Sequence, residues 1–340
     1  MNDSTACFPD TPVRPAFDPE LVAPLAVLRA GVPSLSAESL EVWRRAALEG
    51  RRPDGVVTSD AVRVEEYTTD EHSEEREVPL SLVRPVAQTG PLPAICYMHG
   101  GGTVLGDRWS GIDPFVRYVV EGLAILVTIE YRLAPEHPDP APIEDCYAGL
   151  AWVAQNAKEL GVDPNRMLVA GVSAGGGLAA GVALMARDRG FPHLSHQVLL
   201  CPMLDDRFET ASSRMLDDEG AWDRGASWFA WSALLGDRRG GPDVSHYAAP
   251  ARVADPAGLP HTYIDVGSAE GFRDECLVYA RRLSEAGVSV DLHMFAGGFH
   301  GYPGVVPEAA ISRATVACRD EFVRRALRPA DQVLAEAGDG

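Results

Sequence analysis

Met167-Leu168-Val169-Ala170-Gly171-Val172-Ser173-Ala174-Gly175-Gly176 carries an apolar run into a Gly-x-Ser-x-Gly pentapeptide, and a run of small residues continues to position 185. The apolar run reads as a buried strand, the small residues as a helix packed close to it, and the pentapeptide as the sharp turn between them. A serine at such a turn is held in a strained backbone conformation with its hydroxyl lifted clear of the sheet, and the flanking glycines remove side chains that would collide there. Ser173 is therefore a candidate nucleophile. Small residues between a strand and a helix also serve plain close packing, so the pentapeptide alone does not decide between the two.

Around this stretch, apolar runs at 94–98, 124–129, 197–201, 262–266 and 288–295 alternate with helical patterns at 113–121, 142–160, 174–189, 272–286 and 308–327. Ahead of them, 62–68 and 78–85 alternate apolar and polar residues around a charged stretch at 70–77, the pattern of an antiparallel hairpin. The sum predicts an α/β fold with a mostly parallel eight-stranded sheet covered on both faces by helices. Two further helical patterns, 19–30 and 37–48, precede the sheet. Between Cys201 and Pro260 no strand pattern appears, and Trp222, Trp228, Phe229 and Trp231 cluster around a helical stretch at 226–235. So long an insertion after a strand usually forms a lid or binding element, although tryptophans at this spacing also mark the buried face of a helix. The expected organisation is a helical cap in two halves, 1–60 and 205–250, over a catalytic domain of 61–204 and 251–329. Residues 1–16 are expected to form a poorly ordered lead, and those after 329 a frayed tail.

Of 340 residues 46% are hydrophobic, enough for a sizeable core, and the formal net charge is -19. Such a charge repels phosphate backbones and anionic membranes, and no cluster of Lys or Arg stands against it, so nucleic acid is not an expected partner. Residues 1–10 lack the basic and apolar regions of a secretory signal, and no stretch approaches the roughly 20 apolar residues of a membrane span. The expected location is cytoplasmic. Cys7, Cys96, Cys146, Cys201, Cys276 and Cys318 are scattered without paired spacing. They read as reduced, packed thiols rather than a disulfide frame, a zinc site or a nucleophile.

At the end of the third strand stands His99-Gly100-Gly101-Gly102. Ester cleavage passes through a tetrahedral oxyanion, and each backbone N–H aimed at it is worth roughly 10²–10³ in rate. Three glycines let the main chain approach a substrate unobstructed. A turn or phosphate loop would also use such a run, but no GxGxxG or GKS/T pattern accompanies it. The expected oxyanion donors are Gly101 and Gly102, with Gly100 a weaker candidate, joined by the N–H of Ala174. His99 reads as a structural hydrogen-bonding residue.

His99-Gly100-Gly101-Gly102, then Tyr131-Arg132-Leu133-Ala134-Pro135-Glu136-His137-Pro138, then Gly171-Val172-Ser173-Ala174-Gly175-Gly176 resembles the hormone-sensitive-lipase family of α/β-hydrolases, microbial esterase branch, over about residues 60–327. The resemblance implies an α/β-hydrolase fold and a triad in the chain order serine, acid, histidine. Of the histidines after Ser173, His193, His196 and His246 fall in strand approaches or cap, while His261 and His293 belong to strands. His300 lies in Gly297-Gly298-Phe299-His300-Gly301, a glycine-flanked loop at the carboxyl edge of the sheet, and is the expected base. Where the family usually shows Asp-Pro-Leu-Arg-Asp-Glu, this chain has Glu270-Gly271-Phe272-Arg273-Asp274-Glu275, which implies Glu270 as the acid in place of aspartate. Asp265, inside a covered strand, and Asp274, at a helix start where its carboxylate is expected to meet the free backbone N–H groups of the helix it opens, are the other nearby carboxylates. The family's stretch at 131–138 implies a packing role that steadies the glycine loop. The resemblance further implies a hydrolase of short to medium acyl esters that needs no metal or cofactor, with a homodimer as a plausible assembly. Amidase, arylformamidase or lactonase chemistry uses the same machinery. A non-catalytic small-molecule receptor on this scaffold is disfavoured by the presence of His300.

Overall fold

The computed structural model describes residues 12–31, 33–48, 59–69 and 77–328. The expected lead before residue 12, the tail from 329, Cys7 and most of the charged stretch at 70–77 therefore lie outside the described residues. The strands follow the apolar runs: β1 (Val62–Thr68), β2 (Pro79–Pro85), β3 (Leu92–Met98), β4 (Ile125–Ile129), β5 (Val162–Val172), β6 (His196–Leu200), β7 (His261–Gly267) and β8 (Val290–Phe295). They form one sheet in the order β1-β2-β4-β3-β5-β6-β7-β8. The β1–β2 and β2–β4 pairs are antiparallel and the rest parallel, as the hairpin and alternation patterns predict.

The central strands are apolar throughout because successive side chains enter different cores. Ala94, Cys96 and Met98 of β3, with Val127 of β4 and Val169 of β5, join a core on one face, whereas Ile95, Tyr97, Leu126 and Leu168 join a core on the other.

Eleven α-helices lie among the described residues: α1 (Pro19–Ala30), α2 (Leu40–Leu48), α3 (Asp113–Val120), α4 (Ala141–Gln155), α5 (Ala157–Leu160), α6 (Ala174–Arg189), α7 (Ser212–Met215), α8 (Arg224–Leu235), α9 (Arg273–Glu285), α10 (Tyr302–Val305) and α11 (Ala310–Leu327). The pattern at 142–160 predicts one helix, but the chain breaks at Asn156, whose side-chain amide donates to Trp152 O at 2.9 Å and competes with the helical ladder. Similarly α2 begins at Leu40 rather than 37, because Ser39 Oγ bonds Ser34 O at 2.7 Å and holds a turn there. The four-residue helices α7 and α10 are too short to leave a periodic signal in the sequence. No described helix is long and apolar enough to cross a membrane.

The first helices and the insertion meet each other. Leu28, Leu35 and Trp43 line a small hollow together with Ala221, Trp222 and Ala226, and Arg29 pairs with Asp218 at 2.6 Å. At the sheet, parallel β3 and β5 to β8 release their following loops at one edge, which brings Gly100, Ser173, Cys201, Glu270 and His300 to the same end of the molecule.

Candidate active site

Ser173 lies between the end of β5 and the first residue of α6 with φ 59° and ψ -122°. A non-glycine residue held there stores on the order of 1–3 kcal/mol, so its surroundings must over-determine it. Ser173 N donates to Leu200 O at 2.8 Å, and Ser173 O accepts from Gly177 N at 3.1 Å and Met203 N at 3.0 Å. The flanking glycines are required by close approach. A Cβ on Gly171 would stand 2.0 Å from Gly175 O, and one on Gly175 would stand 2.1 Å from Met98 O.

His300, in the loop after β8, places Nε2 2.9 Å from Ser173 Oγ, and its Nδ1 lies 3.1 Å from Glu270 Oε2. Glu270 is fully buried. With the carboxylate ionised, Nδ1–H donates to Glu270, which leaves the Nε2 lone pair free for the serine hydroxyl. The ring sits edge-on to Phe272 at 5.1 Å and tilted against Trp222 at 6.2 Å. Its loop is pinned from two sides: Gly297 N donates to Ser268 Oγ at 2.8 Å, and Gly297 O accepts from Asp18 N at 3.0 Å, just before α1. Leu21 and Leu25 of α1 pack with Phe299 and Tyr302 beneath it. Burial opposes the charged ring, but the Cys201 sulfur and the Glu270 carboxylate outweigh it and raise the His300 pKa well above 6.5. Burial raises the Glu270 pKa, with His300 pulling the other way.

The other two carboxylates are engaged elsewhere. Asp265 is buried and holds Arg319 Nη2 at 2.9 Å. Asp274 was expected to serve the start of its own helix; instead its Oδ2 accepts from Ser212 N at 2.8 Å at the start of α7, while Ser212 Oγ accepts from Asp274 N at 2.9 Å. The insertion folds back onto α9 here, a contact that sequence spacing does not report. Asp274→Asn should therefore cost about 1 kcal/mol in chemical denaturation, the usual worth of a helix-start contact, with ester turnover retained.

The glycine loop is held from one side. His99 Nδ1 donates to Gly100 O at 2.7 Å, Tyr131 Oη donates to His99 O at 2.7 Å, and Gly101 O accepts from Val104 N at 3.0 Å and Leu105 N at 2.9 Å. In a trans peptide the N–H points opposite to the preceding C=O, so anchoring these three carbonyls turns the N–H groups of Gly100, Gly101 and Gly102 the other way. Gly100 lies against Ser173: a Cβ there would stand 3.4 Å from Ser173 Cβ. Ala174 is the first residue of α6, where N–H groups have no partner within the helix. His99 is buried, stacks on Tyr131 at 4.1 Å, and burial lowers its pKa to about 4, so it stays neutral. The 131–138 stretch also buttresses the loop through Ala134 N to Thr103 O at 2.9 Å. From α2, Arg44 clasps both, with Nε to Val104 O and Nη2 to Ala134 O, each 3.0 Å, and an ion pair to Glu136 at 2.7 Å.

Beside Ala174 lies an apolar recess of about 10 Å³, lined by Thr103, Ile143, Leu178, Met203, Trp231 and Leu234. Trp231 is buried, in keeping with the plain packing role its spacing allows. Trp222 is not part of that stripe. It precedes α8 and approaches Gly102 so closely that a Cβ there would stand 2.7 Å from the indole ring. Two neighbours of the site escaped the sequence reading. Glu275 is buried beneath the 204–205 turn, accepting from Leu204 N at 2.6 Å and Asp205 N at 3.3 Å. Burial raises its pKa well above 4.5. Cys201, one residue past β6 with φ 38°, comes within reach of Glu270 and His300. For Glu275 the signal was present, since it ends the quoted 270–275 segment; for Cys201 the apolar run pointed only to burial.

Residues 95–304 match the family described as alpha/beta hydrolase fold. The chain is 36% identical over 310 residues to carboxylesterase NlhH of Mycobacterium tuberculosis, covering 88% of this chain and 94% of that one. It is 39% identical over 238 residues to esterase LipI of the same organism, covering 67% and 72%. Among solved structures, a bacterial heroin esterase superposes with a TM-score of 0.84 at 40% identity, covering 92% of this chain and 99% of that one. Esterase LipW from Mycobacterium marinum follows with 0.81 at 35% identity, covering 93% and 99%. With its three motifs, its sheet order and these relatives in agreement, the chain belongs to the hormone-sensitive-lipase-like esterases of the alpha/beta hydrolase fold.

Proposed function

We propose that this protein is a serine carboxylic-ester hydrolase in which Ser173 is the nucleophile, His300 the general base and then acid, and Glu270 the carboxylate that orients and balances the imidazolium. The observation that carries this reading is the chain of hydrogen bonds from Glu270 Oε2 through both nitrogens of His300 to Ser173 Oγ, 3.1 and 2.9 Å long, ending on a serine with φ 59°. Nε2 takes the hydroxyl proton as Oγ adds to the ester carbonyl. The carbonyl oxygen, now an anion, is received by the N–H groups of Gly101, Gly102 and Ala174, with Gly100 behind them. Collapse of the tetrahedral intermediate expels the alcohol, which takes the proton from His300 Nε2 and leaves the acyl group on Ser173. Water then repeats the sequence and frees the acid.

Helices α1 and α2 and the 205–250 insertion act as a two-part cap that governs substrate range. The tight recess beside Ala174 supports short acyl groups, because about 10 Å³ is room for little more than one water molecule. A panel of p-nitrophenyl esters of increasing acyl length, with anilides and lactones alongside, tests both points. The expected result is a kcat/KM that peaks at short acyl esters and far exceeds anilide and lactone turnover. Leu234→Ala, which widens the recess, should move the optimum to longer chains. Faster cleavage of anilides or lactones than of every ester would reassign the reaction; an optimum unmoved by Leu234→Ala would remove the recess from acyl selection.

A further inference from the structure

Cys201 Sγ, a carboxylate oxygen of Glu270 and a ring nitrogen of His300 lie within 4.8 Å of one another. Around a tetrahedral zinc ion, with bonds of about 2.0–2.3 Å, donor atoms stand about 3.5 Å apart. His300 Nδ1 and Glu270 Oε2 are 3.1 Å apart and the cluster as a whole spans no more than 4.8 Å, so small shifts of the three side chains reach that spacing. A second observation is independent of the cluster's spacing: Glu270 Oε1 is fully buried without any hydrogen-bond partner. A carboxylate oxygen so placed is an unused donor of electron pairs. There is also a way in. A cavity of about 460 Å³ reaches Cys201 and Glu270 past Val172, Val266, Tyr302 and Pro303, apart from the recess beside Ala174. The net charge of -19 favours cations near the surface.

We propose that a thiophilic divalent cation, Zn²⁺ or Cd²⁺, binds between Cys201 Sγ, the Glu270 carboxylate and His300 Nδ1 and arrests the enzyme. Each of the three groups donates an electron pair to the ion, and water entering from the cavity completes the tetrahedron. The Cys201 thiol loses its proton to solvent; the Nδ1 proton is lost and Nε2 gains one, so one proton is released overall. His300 is then fixed in the tautomer with Nε2–H, which donates to Ser173 Oγ and cannot take its proton. The arrest rests on the catalytic reading of Ser173, His300 and Glu270, whereas the binding site does not.

The experiment separates the two. Protein carrying Cys318→Ser, which removes the partly exposed thiol, and Cys7→Ser, which removes the thiol outside the described residues, is titrated with Cd²⁺ in the Ser173→Ala background. Thiolate-to-metal absorption in the ultraviolet and calorimetry report binding. The expected result is one equivalent of Cd²⁺ with a thiolate band, lost when Cys201→Ala is added. In the active background Zn²⁺ should inhibit ester turnover, and Cys201→Ala should keep turnover while raising the half-inhibiting Zn²⁺ concentration about tenfold or more. Cys201→Ser, closest in size, guards against a packing effect and should behave as Cys201→Ala does. Equal Cd²⁺ absorption with and without Cys201, or equal Zn²⁺ sensitivity, overturns the site. Saturating Cd²⁺ bound through Cys201 with turnover undiminished overturns the arrest. Turnover near the parental rate by Ser173→Ala would instead sink the catalytic reading and leave the Cd²⁺ titration standing.

Discussion

Ser173→Ala should lower ester turnover by about 10⁵- to 10⁶-fold and abolish labelling by a fluorophosphonate, read as the missing mass adduct on the intact chain. Without Oγ the covalent step is lost, and only the oxyanion donors and substrate binding remain to accelerate attack by water. The fold should not notice. The backbone at φ 59° is held by Leu200 O, Gly177 N and Met203 N, none of which touches the side chain, so the denaturation midpoint should stay close to that of the parent. Turnover near the parental rate in the folded variant would move the nucleophile elsewhere.

Glu270→Gln should lower kcat by about 10⁴-fold, because the amide holds the wrong imidazole tautomer and cannot balance the imidazolium. The pH dependence provides a separate test with a definite sign. Only neutral His300 accepts the Ser173 proton, so kcat/KM falls as pH drops through the His300 pKa. Since that pKa is raised well above 6.5, the acid limb of the parent should have its midpoint above 6.5. In Glu270→Gln the carboxylate's contribution is gone while burial, which favours the neutral ring, persists, so the midpoint should move down. A midpoint that stays put would remove Glu270 from contact with the base, whatever happens to the rate.

The sheet explains why Ser173, Glu270 and His300 can be expected at one place. Each of the loops bearing Ser173, Glu270 and His300 follows a strand of a parallel sheet, and parallel strands deliver their following loops to one edge. Ser173 and His300 are 127 residues apart in the chain yet 2.9 Å apart across that edge. Local features pointed to these positions: glycines around Ser173 for close approach, glycines around His300 for a free loop, and the family segment for Glu270. Local features failed at Asp274, whose partner Ser212 is 62 residues away on the insertion, and at Asn156, where one side-chain amide ends a helix that periodicity would continue.

By itself, then, the sequence determined the alternation of strands and helices, the strand–turn–helix at Ser173, and the small set of side chains that parallel connections would gather. Those features depend on burial period and on backbone conformation, which neighbouring residues encode. Only the tertiary structure decided that Trp222, ahead of α8, stands over Gly102, that Arg44 ties α2 to the glycine loop, that Glu275 supports the 204–205 turn, and that Cys201 meets Glu270 and His300. An apolar run records that a side chain is buried, not which distant element it is buried against. That pairing is set by how the layers pack once the sheet has formed.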